Sequence, residues 1–93
     1  MKAKEEHVEE DYSIGDRYIF DRITVNPERC GGKPTIRGTR LMVSVVLDFL
    51  GAGDSVDDMV DEFPFIDRED VLACIRFALM TMQEKYEPQQ MLR

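Results

Sequence analysis

Hydrophobic positions along the chain follow two rhythms, and the change falls near residue 43. From Tyr18 to Val25 the run Tyr-Ile-Phe-Asp-Arg-Ile-Thr-Val is rich in β-branched and aromatic residues and partly alternates, which predicts a strand. Asn26-Pro27 ends it, because proline brings no amide donor and Asn-Pro favours a turn. Cys30-Gly-Gly-Lys-Pro34 is a tighter turn signal, Thr35-Ile36-Arg37 can return as a short strand, and Gly38 bends the chain again. A β-hairpin, or two short β-pieces, is expected before anything helical.

Beyond this the spacing becomes helical. Val43, Val46, Leu47 and Leu50 fall at i, i+3, i+4 and i+7, and Gly51 and Gly53 close that helix. Ser55 offers an N-cap with acids in the first turn, Val56, Met59, Val60 and Phe63 continue the period, and Pro64 stops it. Asp67 is a second cap. Val71, Leu72, Ile75, Ala78, Leu79 and Met82 are then expected to line one face of a longer helix from Arg68 to Lys85. Pro88 and its polar neighbours end it. Three helices joined by short turns predict a mainly α fold: a homeodomain-like helix-turn-helix bundle with an N-terminal β-hairpin.

Charge divides the chain in three and so sets the expected domain plan. Residues 1–16 carry a net −4 and little apolar periodicity, residues 17–42 carry +4, and residues 43–93 carry −7. The first segment is expected to be a flexible acidic tail, residues 17–86 one folded unit, and residues 87–93 a C-terminal tail. So small a unit gains from dimerisation. With no long apolar run and no basic-then-apolar leader, the expected location is cytoplasmic.

Little in the sequence carries reaction chemistry. The only histidine, His7, lies in the tail, and Cys30 and Cys74 are in no CxxC pair. Neither a zinc site nor a nucleophile–base pair is available from such a set. The acid pairs Asp57/Asp58, Asp61/Glu62 and Glu69/Asp70 are adjacent in sequence and splay around a helix instead of sharing a cleft. The arm Cys30–Arg40 fails as a nucleotide loop: Pro27 stands where the first P-loop glycine is required, and Pro34 follows Lys33 where Ser or Thr is required. No catalytic residue, metal, cofactor, small-molecule substrate or membrane span is assigned, and the expectation is a binding protein, not an enzyme.

Binding could run through the cations of the arm. Lys33, Arg37 and Arg40 lie among glycines that let backbone amides approach a partner, as phosphate recognition requires. Equally, they could neutralise the protein's own acidic helices. Arg68 and Arg76 would join them if the third helix enters a DNA groove, although Glu69 and Asp70 beside them repel a polyanion.

The strings Arg22-Ile-Thr-Val-Asn-Pro27, Cys30-Gly-Gly-Lys-Pro-Thr-Ile-Arg-Gly-Thr-Arg-Leu41, Gly53-Asp-Ser55 and Phe63-Pro64 closely resemble domain-of-unknown-function family 433, over roughly residues 20–80. That family is often described as antitoxins of the VapB type. The resemblance implies a homeodomain-like fold, a homodimer, a PIN-like ribonuclease toxin as partner in a toxin–antitoxin system, and operator DNA binding. Its signature falls on Gly32, Pro34, Ile36, Gly38, Thr39 and Arg40, with no catalytic role attached. Met42 departs from the pattern where proline is frequent, and Asp67 where Thr or Ser is common. Alternatives are a stand-alone helix-turn-helix DNA-binding regulator and a dimerisation module without nucleic-acid binding.

Overall fold

The structure, a computed structural model, describes residues 15–85. The expectations for residues 1–14 and 86–93 lie outside the described residues. Asp16 belongs to the folded unit, since its Oδ1 accepts hydrogen bonds from Asn26 (3.1 Å) and from the buried Arg29.

Three short strands form one antiparallel sheet in the order β1 (Arg17–Phe20), β2 (Ile23–Val25), β3 (Thr35–Ile36). The apolar run expected as one strand is thus folded back on itself at Asp21-Arg22. Asp21 takes φ 50°, a left-handed value that Asp tolerates better than most residues, so a two-residue turn replaces the middle of the run. The register slips at Ile19, with Tyr18 opposite Thr24 but Phe20 opposite Ile23, which leaves Ile19 as a bulge at the sheet's edge. Alternation along β2 and β3 does not separate a wet face from a dry one. Ile23, Thr24, Thr35 and Ile36 are all buried.

A 3-10 turn, Cys30–Gly32, links β2 to β3, and three helices follow: α1 (Val43–Gly51), α2 (Val56–Glu62) and α3 (Arg68–Lys85). The end of α1 and the starts of α2 and α3 match the expected signals. Gly53, at φ 112°, follows α1 as the left-handed residue of a Schellman motif, with Gly53 N donating to Leu50 O (3.0 Å) and Asp54 N to Phe49 O (3.1 Å). Ser55 and Asp58 form a reciprocal capping box on α2. Asp67 and Asp70 do the same for α3, with Asp70 N donating to Asp67 Oδ1 (2.9 Å) and Asp67 N to Asp70 Oδ2 (3.0 Å).

The core lies where α3 crosses α1, α2 and β2. Ile23 and Ile36 come from the sheet, Val43 and Val46 from α1, Met59 from α2, and Val71, Ala73 and Cys74 from α3. Phe20 meets Phe77 with ring centroids 5.9 Å apart, tying the hairpin to the middle of α3.

The expected face of α3 needs correction. Val71 is buried as expected, but Ile75, Leu79 and Met82 are 41%, 52% and 46% exposed, and the helix turns Asp70, Ala73, Cys74 and Phe77 inward. Between Val71 and Met82 the only charged residue is Arg76. With apolar residues on both sides, helical periodicity has two stripes to choose from, and the tertiary contacts choose.

Candidate interaction surfaces

The family-signature residues build a turn. Pro34 O accepts the amide of Val43 (3.0 Å), which satisfies the first donor of α1 without a side-chain cap on Met42. Ile36 is in the core, and its amide donates to Leu41 O (3.0 Å). Between these, Gly38 at φ 68° reverses the chain. The Thr39 hydroxyl donates to Ile36 O (2.7 Å) while accepting from Leu41 N (3.0 Å). Gly32 N donates to Arg29 O (3.0 Å), and Arg40 O accepts from Cys30 Sγ (3.5 Å). These polar groups are spent on the loop itself, and the result is a rigid joint between β3 and α1.

The candidate cations do not converge. Arg37 faces Asp70, with NH2 3.6 Å from Oδ1. Arg68 pairs with Asp57 at 2.7 Å, and Arg76 with Asp21 at 2.8 Å and Glu69 at 3.9 Å. Lys33 and Arg40 are exposed, and Lys33 stands at one end of a groove between α1 and α3. At least three of the five are therefore held by the protein's own carboxylates.

Two arginines with larger structural roles were not among the candidates. Arg29 is buried against Asp16, and its NH2 lies 3.5 Å from the Thr24 hydroxyl. Arg22 reaches from the β1–β2 turn to the start of α3, donating to Asp67 Oδ1 (2.8 Å) and to Asp70 Oδ1 (3.0 Å). Asp70 is only 2% exposed. Hydrogen bonds to Asp70 first and Asp67 second hold the Arg22 guanidinium above its ordinary range. The Asp67 carboxyl is lowered, above all by the Asp70 backbone N–H and then by Arg22. Asp58 is lowered too, by the backbone amide and hydroxyl of Ser55. No local sequence signal points to the Arg22–Asp70 link, since the two residues are 48 positions apart.

Besides Tyr18 and Ile19 on the edge strand β1, two apolar surfaces are exposed among the described residues. The first is the outer stripe of α3, Ile75, Leu79 and Met82, which continues into the α1–α3 groove of about 500 Å³ floored by Val43, Leu47, Phe77 and Ala78. The second lies at the α1–α2 corner. There Phe49, Phe63 and Phe65 stack edge to face at 5.8 and 6.0 Å, beside a cleft of about 330 Å³ lined by Phe49, Met59, Asp54, Asp58, Asp61 and Glu62.

Among the described residues no group of His, Cys, Asp and Glu is placed to hold a metal, and no helix is long and apolar enough to cross a membrane. Both cysteines are free thiols, and burial pushes the Cys74 thiol up to about 12, which keeps it protonated and unreactive.

The family described as Protein of unknown function (DUF433) matches residues 23–78, a span that runs from β2 to the middle of α3. Uncharacterized protein y4eO of Sinorhizobium fredii (strain NBRC 101917 / NGR234) is 39% identical over 49 residues, which is 53% of this chain and 22% of that protein. The chain thus spans less than a quarter of the curated relative it matches. No solved structure matches it.

Proposed function

The chain belongs to the DUF433 family, and we propose that it is a non-catalytic, antitoxin-like binding module that works as a homodimer and meets its partner, a PIN-like toxin, through protein contact. In this reading the three helices are a homeodomain-like helix-turn-helix unit whose last helix serves association instead of DNA recognition. The observation that carries it is the outer face of α3. In a groove-reading helix that face would be polar and basic. Here it offers Ile75, Leu79 and Met82, and the nearby Arg68 and Arg76 are engaged with Asp57 and Asp21.

Magnitudes support two copies meeting along both the stripe and the groove. Covering three half-exposed apolar side chains from each copy would gain about 6 kcal/mol, at roughly half of the 1.5–3 kcal/mol for complete burial of such a residue plus some rim. Association costs about 4–15 kcal/mol. The stripe alone barely meets that cost, so the groove floor of Leu47 and Phe77 must be covered as well.

Sedimentation at micromolar concentration is expected to give a dimer, and Leu79→Glu a folded monomer, since Leu79 is 52% exposed and lies outside the buried core. A strictly monomeric wild-type chain overturns the dimer. Co-expression with the product of the neighbouring reading frame is expected to give a complex and relieve its toxicity, and failure of both overturns the antitoxin role. Gel shifts on the gene's own promoter at several salt concentrations test operator binding through Lys33 and Arg40. A shift abolished by Arg40→Glu would favour the regulator reading.

A further inference from the structure

The aromatic corner of α1 and α2 is separate from the α3 stripe, and its cleft shares no lining residue with the α1–α3 groove. Phe65 is 62% exposed and Phe49 36% exposed, and the cleft beside them has an apolar floor of Phe49 and Met59. What belongs there is indicated by charge. From Leu41 to Asp67 the chain carries seven acids and no lysine or arginine. Two of these acids, Asp57 and Asp67, are paired with Arg68 and Arg22, and Asp58 is committed to its cap. Asp48, Asp54, Asp61 and Glu62 make no ion pair with any described residue.

Their placement works against the fold. Asp48 is in the second half of α1, and Asp61 and Glu62 are the last residues of α2, while neither helix has a basic residue in its last turn. The C-terminal end of a helix is the negative end of its dipole, and carboxylates there are unfavourable. Asp48, Asp61 and Glu62 are kept at such a cost, and the last two, with Asp54, line the cleft beside the exposed rings and form a surface complementary to one kind of group. A guanidinium stacks on an aromatic face and takes a carboxylate in a two-pronged bond, and an ammonium does neither as well. A phosphate backbone or an acidic membrane surface would be repelled.

We propose that the Phe49–Phe63–Phe65 surface and its acidic cleft dock an arginine-rich segment of a partner protein. This names the partner chemistry for the protein-binding function above and rests on that reading. Arginine side chains lie across Phe49 and Phe65 and end against Asp54, Asp61 and Glu62, while α3 holds the second copy.

The test is fluorescence anisotropy on the full chain, with a short labelled peptide of alternating arginine and leucine as probe. Otherwise identical peptides carrying glutamate or lysine in place of arginine serve as comparisons. The arginine peptide is expected to bind, the lysine peptide more weakly, and the glutamate peptide not at all. In the triple variant Asp54→Asn, Asp61→Asn, Glu62→Gln, affinity is expected to fall about tenfold. The thermal midpoint of that variant is expected to rise, because Asp61 and Glu62 no longer place negative charge at the C-terminal end of α2. Equal binding by variant and wild type, equal binding of the lysine peptide, or a variant less stable than wild type each overturns the proposal. Dimerisation is measured on the same samples. A dimer that ignores the peptide overturns this inference alone, and a monomer that binds it overturns only the role given to α3.

Discussion

Replacing Asp70 with alanine removes the buried carboxylate among those that join the sheet to the longest helix. Asp70 is 2% exposed, and its oxygens accept from Arg22 (3.0 Å) and from the Asp67 amide (3.0 Å), with Arg37 at 3.6 Å. Loss of a capping bond costs about 1 kcal/mol, and loss of a charge-assisted hydrogen bond in a part-buried site about 2 kcal/mol. Arg22 keeps Asp67 as a partner, which limits the damage. The expected destabilisation is about 3 kcal/mol, a large share of the roughly 5–10 kcal/mol available to so small a domain. At about 4–8 °C per kcal/mol the melting midpoint should fall by about 12–24 °C. Arg68→Ala is the matched comparison. It breaks a shorter ion pair, 2.7 Å to Asp57, but both partners are exposed and the expected cost is below about 1 kcal/mol. Thermal and urea denaturation followed by circular dichroism measures both. If Asp70→Ala costs no more than Arg68→Ala, burial is not what gives the Asp70 cluster its weight.

Two further outcomes follow from groups in the same region. The Thr35 hydroxyl is buried without a hydrogen-bond partner, so Thr35→Val, which keeps the shape, should raise stability by about 1 kcal/mol in urea denaturation; a loss would mean that the hydroxyl has a partner in solution. Asp58 and Asp67 both sit below the usual carboxylate range in the folded chain. A lowered folded value means that the unfolded chain binds the proton more readily, so the stabilisation is complete above about pH 5 and is lost as pH falls through the folded values. Urea midpoints between pH 7 and pH 3 should show this acid limb, and the double variant Asp58→Asn, Asp67→Asn should flatten it; an equally steep limb in the variant refutes the assignment.

How legible the fold was depended on how local its signals are. The end of α1, both ends of α2 and the start of α3 could be read from Gly53, Ser55, Pro64 and Asp67, because caps and stops act within a turn of the chain. Less legible was the run Tyr18–Val25, where β-propensity is uniform and only the left-handed tolerance of Asp21 hints at a turn. The inward face of α3 was illegible for a different reason. Val71–Met82 is apolar on every side, and which stripe is covered depends on contacts with β2 and α1 that periodicity does not encode. At the candidate sites, the basic character of residues 17–42 was plain, but the destination of each cation was not. Arg22 and Asp70 are 48 residues apart, and no local rule links them.

The positive segment and the acidic start of α3 are best understood as one electrostatic unit. A helix that opens with Asp67, Glu69 and Asp70 gains from its dipole, yet it packs Asp70 against the sheet, where an unpaired carboxylate would be costly. Arg22 and Arg37, one on each side of the β2–β3 pairing, meet that demand from the sheet. This accounts for why the signature turn sits in a basic stretch of an acidic protein: the turn fixes the direction of α1, and the cations beside it fix the start of α3. The local charge is then largely answered within the fold. What is left over lies elsewhere, as apolar side chains on the outer face of α3 and as carboxylates at the ends of α1 and α2. Stability alone calls for neither, since polar residues on the first and amides or bases at the second would serve a monomer better. Both surpluses are the features on which the proposed protein contacts rest.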